Sequence, residues 1–323
     1  MSGRLALLIA TLIAVSIAAL ALGPVALHPG ELWRVLAGGA DPVARAIVLD
    51  VRAPRVALAL LVGAALGMSG AVLQGALRNP LAEPYLLGVS GGAAVGAVLA
   101  VSIGWNEPTV LSLAAFVGAL SAVLLVMGIA RASGLRADPR MLLMAGVVVG
   151  AFANAAIMVL LATAPAEATR GALWWMMGSL GSAQWRDVLR LAVVLALTGP
   201  LLLHWARDLD ALALGHDAAA ALGVAPETAS RRLYLTASLL AAATVAAAGL
   251  VGFVGLLVPH LARALVGSRH RVALAVSALA GSTLVVGADL AARTARAPAE
   301  LPLGAVTAVV GVPFFLSLLR RMR

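Results

Sequence analysis

Arg207–Thr228 reads RDLDALALGHDAAAALGVAPET, the longest polar interruption in the second half of a chain that is otherwise apolar enough for a bilayer. The stretch carries its own helix grammar. Asp217 is placed to N-cap the run Ala218–Leu222, Gly223 to give a left-handed stop, and Pro226 to open the next helix. Five residues do not hold a helix alone in water, because nucleation is recovered only over about 12 or more. The pattern predicts a short Ala-rich helix clamped by the helices on either side and seated on a partner, a plug at a membrane surface. The plainer reading is a connecting loop with a chance cap.

The rest of the chain sets the solvent. It has 323 residues, 62% hydrophobic and 11% charged, with a mean hydropathy of +1.03. Soluble chains carry about a quarter charged residues. This composition predicts an all-α polytopic membrane protein embedded in a lipid bilayer. All 23 basic residues are Arg, so no Walker lysine exists and the chain cannot use a P-loop to hydrolyse ATP. With no Cys there is no disulfide, thiolate metal site or cysteine nucleophile. The net charge of +9 is not read as nucleic-acid binding, because in a membrane protein arginine placement follows topology.

Spans of about 20 apolar residues are expected at 4–23, 53–74, 85–103, 109–131, 140–162, 185–205, 229–248, 253–267, 271–293 and 303–320, ten in all. The eighth is short and holds Pro259, so 229–267 could instead be one span plus a re-entrant piece. Arg4 followed by Leu5–Leu22 is longer than the roughly 7–15 residues of a signal-peptide core, despite a cleavage-like Ala19-Leu20-Ala21, and is read as a retained first helix. With the N-terminus inside, 14 arginines, among them Arg78, Arg136, Arg140, Arg207 and Arg323, fall on the cytoplasmic side and nine outside. The bias places both termini and 207–228 in the cytoplasm.

Small residues predict close helix contacts: Gly63, Gly67 and Gly70; Gly88, Gly92 and Gly96; Gly146 and Gly150. In 163–184 the run WWMMGSLGSAQW, ending at Trp185, suits a short interfacial helix. Buried ionisable residues, which an ion-coupled carrier needs, are few. Asp289 stands four residues before Arg293, an expected ion pair near the outer end. His260, Arg263 and His204 complete the set, and any energy source is expected in a partner.

Three stretches then combine. Ala64–Gly92 contains RNPLAEP at Arg78–Pro84, a turn made rigid by two prolines. Leu212–Gly223 carries LGHD and LGV at its ends. Gly252–His260, GFVGLLVPH, is followed by AELPLG at Ala299–Gly304. Together, in matching order from about residue 50 to the C-terminus, they resemble the membrane-spanning permeases of bacterial iron-chelate and vitamin B12 ABC importers. Trp175–Gly178 is most similar to the vitamin B12 permeases.

The resemblance implies a single permease domain over 1–323 with ten helices, in a homodimeric type II importer of the inner membrane. It implies as partners a second copy, two cytoplasmic ATPase subunits and a periplasmic or lipid-anchored substrate-binding protein. The cargo would be a ferric siderophore, vitamin B12 or haem. In 207–228 the coupling residues would be Leu214, Gly215, His216, Asp217, Ala218, Ala221, Leu222 and Gly223. Asn79, Pro80 and Leu81 match one cytoplasmic gate and the loop around Pro139 and Arg140 a second, where relatives often have small hydroxyl residues. Arg52 and Arg55, in VRAPR, and Arg293 match outward-facing arginines that meet carboxylates of the binding protein, with Arg296 added by proximity. Each has a plainer reading: helix-end anchoring for Arg52 and Arg55, a turn residue in Asn79, a solvated loop residue in His216, packing for His260. No His, Asp or Glu cluster has metal-ligand spacing, so no metal or cofactor is expected. The rival is an ion-coupled secondary transporter of a small metabolite, with Asp289 its first suspect.

Overall fold

The computed structural model describes residues 2–25, 27–39, 41–133 and 139–321, so the orienting Arg136 and Arg323 lie outside the described residues. The helices are α1 (Ser2–Ala21), α2 (Pro29–Leu36), α3 (Pro42–Ala46), α4 (Ala53–Ala76), α5 (Val89–Ser102), α6 (Pro108–Ala132), α7 (Pro139–Thr163) and α8 (Ala166–Met176). They continue with α9 (Trp185–His204), α10 (Ala206–Ala213), α11 (His216–Ala221), α12 (Pro226–Ala248), α13 (Val254–Val266), α14 (His270–Thr294) and α15 (Leu303–Arg321). A π-helical turn, Ile47–Arg52, runs into α4, and a 3₁₀ turn, Pro84–Leu87, leads to α5.

Each of the ten expected spans holds a helix. Among the described residues six segments are long and apolar enough to cross a membrane: α1, Pro42–Ala76, α6, α7, α9 and α14. α5, α13 and α15 are shorter apolar helices, and α12 carries Glu227, Arg231 and Arg232 in its first two turns.

α4 is the axis of the bundle. It is apolar all round, as a helix buried on every side must be, and it packs on α14, α12, α13 and α9. A Cβ on Gly63 would stand 2.2 Å from the Gly281 carbonyl oxygen, and one on Gly70 2.0 Å from that of Gly255, so these backbones meet directly. Gly92 and Gly96 do the same against α6, and Gly146 against Leu86. Gly88 is in addition a left-handed turn residue at the start of α5, φ +79°, where a Cβ would stand 3.3 Å from Val149, and Gly150, open at its own Cβ position, has its Cα 3.7 Å from where a Gly91 Cβ would stand.

The ambiguity over 229–267 resolves into two helices with unwound backbone between them. Gly249 and Phe253 both have positive φ, 70° and 66°. The freed groups find partners: the Tyr85 hydroxyl donates to the Val251 carbonyl at 3.0 Å and accepts from the Val251 amide at 3.1 Å. Ser179 N–H donates to the Ala248 carbonyl, and the Leu303 and Gly304 amides donate to the Gly178 and Met177 carbonyls. Irregular backbone at membrane depth persists only where protein satisfies it in this way. The tryptophan stretch is corrected accordingly. α8 is a short helix as expected, but the chain after it turns inward to pair with 248 and 303–304.

Candidate functional site

α10 roots the plug. Leu209 and Leu212 are fully buried against α4 and α14. Asp208 pairs with Arg232 of α12, whose guanidinium lies 4.7 Å over the Trp205 ring. Asp210 Oδ1 accepts from the His270 backbone amide at 3.0 Å and sits 2.6 Å from His270 Nδ1, which fixes α10 to the first turn of α14. α11 then projects from this base. Leu214 (69% exposed) and Leu222 (65%) present apolar side chains beyond it, with Ala220 and Ala221 exposed between them and Ala219 buried.

The expected cap is corrected. Gly215, at φ +115°, is the N-cap residue, and Asp217 lies exposed inside the first turn, where a carboxylate still complements the helix dipole. The αL position of Gly223, φ +82°, and the start of α12 at Pro226 are as read from the sequence. His216 is half-buried and Ala218 half-buried.

α4 ends in a paired C-terminal motif: Arg78 N–H donates to the Gly75 carbonyl and Asn79 N–H to that of Gln74. Its left-handed residue is Arg78, φ +49°, where glycine is usual. Asn79 Oδ1 accepts from the Leu81 amide at 2.9 Å, closing an Asx turn that holds Pro80 and Leu81 exposed. Pro84 seats against Gly255. Glu83 is half-buried in this turn, and desolvation raises its carboxyl above the usual range. Pro139 and Arg140 open α7, two turns before the Gly146 contact with Leu86, so both proposed gate segments bear on the Pro84–Leu87 turn.

One contact had no signal in sequence spacing. A Cβ on Gly215 would meet Arg78 Nη1 at 3.3 Å, so the arginine that ends α4 packs over the turn into α11.

The outer arginines differ most from expectation. Arg52 (4% exposed), Arg55 (7%) and Arg293 (3%) are buried, not outward-facing. Arg52 donates to the Leu20, Ala21 and Val25 carbonyls and satisfies the open end of α1, an anchoring role. Arg55 uses Nε and Nη2 on Asp289 at 2.9–3.1 Å, and Nη1 and Nη2 on Glu300 at 2.7 and 2.9 Å. Arg293 donates to the Ala19 carbonyl, and its Nε stands 3.7 Å from Asp289. The reason is chemical: two carboxylates, from α14 and the Ala299–Gly304 motif, converge on the Arg55 guanidinium, and the carbonyls at the end of α1 take that of Arg52. Three cations against two anions leave the cluster positive. Arg296 is exposed, as are Arg34, Arg45, Arg170, Arg186 and Arg190.

Two other polar groups complete the picture. The Gln74 amide donates to the Gly255 and Leu256 carbonyls and accepts from Arg263, bracing the start of α13. His260 is a packing residue, its Nδ1 2.9 Å from the Leu256 carbonyl and its ring edge-on to Phe315. Among the described residues no three His, Asp or Glu side chains converge as a metal set.

A family model described as the FecCD transport family matches residues 10–321. The cobalamin import system permease BtuC of Halobacterium salinarum is 44% identical over 286 residues, 87% of this chain and 75% of that protein. The hemin transport system permease HmuU of Yersinia pestis is 41% identical over 86% of this chain and 84% of its own length. A solved ABC transporter assigned to the metal-chelate type, in an inward-facing conformation, superposes with a TM-score of 0.89 at 32% identity, covering 99% of this chain and 100% of that one. The chain belongs to the FecCD transport family, the membrane permease subunits of binding-protein-dependent ABC importers.

Proposed function

We propose that this permease imports a metal chelate (vitamin B12, haem or a ferric siderophore) across a bacterial inner membrane as a homodimer with two ATPase subunits, both termini cytoplasmic. The observation that carries the reading is the join between plug and gate turn. α10 and α11 present Leu214 and Leu222 to a partner, while Arg78, packed on Gly215, begins the turn that holds Asn79, Pro80 and Leu81. Displacing α11 moves Arg78 with it. The permeases for cobalamin and hemin among its relatives support the cargo class.

The pathway between two copies is supported by α7. Asn154, in the middle third of this 25-residue helix, is exposed on the same side as Gly150 and the exposed Met158, one turn away in either direction. A mid-span amide facing lipid is costly, so that face is better matched by a second copy or a polar path. Docking of the binding protein falls to Arg296 and the other exposed outer arginines, with Arg52, Arg55 and Arg293 framing that end of the bundle. The ion-coupled alternative loses its main ground, because Asp289 is held by Arg55 and Arg293.

The test is ATPase activity of the reconstituted complex with binding proteins loaded with cobalamin, haem or a ferric siderophore. Stimulation by one of them, abolished by Leu214→Asp with Leu222→Asp, is expected. Transport that needs no ATPase and collapses with the proton gradient would refute the proposal.

A further inference from the structure

At the end of the bundle that carries α10 and α11, the last turns of α6 and the first turns of α12 enclose an open cavity of about 410 Å³. Its rim holds Arg131, in the last turn of α6, and Arg231, on α12. Both are exposed, and neither makes an ion pair or hydrogen bond among the described residues. Arg231 follows Glu227 by four residues on one helix, and even this pair is not made, although Glu227 and Thr228 share the rim. Below the rim the walls are apolar: Leu124, Met127 and Leu235. Leu124 is seven residues before Arg131, so the polar rim gives way to hydrocarbon about 10 Å deeper, at 1.5 Å per residue. Gly128 leaves the wall open, with nothing within 4 Å of where its Cβ would be.

Two unpaired guanidiniums above an apolar slot, at the boundary of two helices of the bundle, match an amphiphile with an anionic head. We infer that this cavity binds the phosphate headgroup of an anionic phospholipid from the leaflet on the α10–α11 side, with Arg131 and Arg231 on the phosphate and an acyl chain along Leu124, Met127 and Leu235. A soluble anion would use the arginines and leave the apolar depth unused. Glu227, on the same rim, disfavours multiply charged soluble anions and leaves room for a headgroup with one phosphodiester charge. The site adjoins the 207–228 stretch, whose last residues Glu227 and Thr228 reach its rim, but includes neither α10 nor α11. It would make assembly or turnover depend on lipid composition.

Native mass spectrometry of the full-length permease, released from detergent with phosphatidylglycerol or phosphatidylcholine, tests this. Wild type should retain phosphatidylglycerol in preference. Arg131→Gln and Arg231→Gln should each weaken retention about fivefold, and together about thirtyfold, at roughly the worth of one basic residue near an anionic surface. Gly128→Phe, which fills the slot and leaves every charge in place, should weaken retention as well. Arg269→Gln with Arg271→Gln, equal in charge but outside the cavity, should not. Equal loss in that control would overturn the site in favour of general surface charge. Displacement of the lipid by millimolar inorganic phosphate would overturn the lipid assignment in favour of a soluble anion. Unchanged lipid retention in the arginine variants, with loss of ATPase assembly, would reassign the cavity to the protein partner.

Discussion

Replacing Arg55 by Met separates a structural role from a docking role at the Arg55–Asp289 end of the bundle. The substitution keeps the unbranched apolar stem of the side chain and removes the cation. Asp289, 2% exposed, is then left with Arg293 Nε at 3.7 Å and no hydrogen-bonded guanidinium. Removing one partner of a buried ion pair costs about 3–5 kcal/mol. The bond to Glu300 counts for less, about 0–1 kcal/mol, because that carboxylate is 36% exposed. At roughly 2 °C per kcal/mol for a chain of this size, Arg55→Met should lower the melting temperature in detergent by about 6–10 °C. Glu300→Gln should lower it by about 2 °C or less. The double variant Arg55→Met with Asp289→Leu should recover much of the loss, since an apolar pair of similar volume is often as stable as the ion pair it replaces. The assay is intrinsic tryptophan fluorescence on heating, scored beside monodispersity on a sizing column. An Arg55→Met protein as stable as wild type that fails to bind the loaded binding protein would refute the reasoning and make Arg55 a docking residue.

Gly215→Ala should uncouple ATP hydrolysis from transport, because a Cβ there meets Arg78 Nη1 at 3.3 Å and the backbone sits at φ +115°, where an L side chain costs about 1 kcal/mol or more; transport per ATP in proteoliposomes checks this. Asn154→Leu should reduce chelate uptake severalfold with ATPase assembly intact, measured by radiolabelled uptake beside co-purification; unchanged uptake would remove Asn154 from the pathway. Glu83 is raised by burial, so its native form binds protons more readily than the unfolded chain. That burial costs stability at neutral pH, and the cost fades as pH falls through the carboxyl's raised native range and is gone below its unfolded one. Glu83→Gln should therefore stabilise the protein at pH 7.5 and show a shrinking gain towards pH 4, read from melting temperatures across pH. The chain lacks cysteine, so Ala221→Cys is a clean probe: a membrane-impermeant maleimide should label it in inside-out vesicles and not in intact cells.

What the sequence made legible follows its strongest physical constraints. The helices at the ten expected positions were readable because each holds an apolar run, and Gly63 and Gly70 were readable because close backbones in lipid require small residues. Gly223 and Pro226 were equally plain, since left-handed stops and first-turn prolines are local matters. The cap fell at Gly215, φ +115°, two residues before Asp217, and Arg78, 137 residues earlier in the chain, packs on that turn, a contact without local trace. The outer arginines were placed on the correct segments but with the wrong exposure. Arg55 finds its carboxylate partners 234 and 245 residues away, at Asp289 and Glu300, and Arg52 finds the carbonyls at the end of α1, about 30 residues back. Glu300 stood within the quoted AELPLG motif, and an unassigned acid beside an unassigned cluster of arginines was the available signal.

The 25 residues of α14 connect these places. Its first residue, His270, is pinned to α10 by Asp210, and its last turns hold Asp289 and Arg293 in the outer cluster. At 1.5 Å per residue the helix is a strut of about 37 Å, braced along its length by backbone-to-backbone contact with α4. A strut conveys movement geometrically. A tilt of about 3° about one end carries the other through about 2 Å, the scale on which a side-chain contact is made or lost. The two faces of the membrane are therefore joined by one stiff member, and a load applied at either end is felt at the other without a chain of intermediate rearrangements.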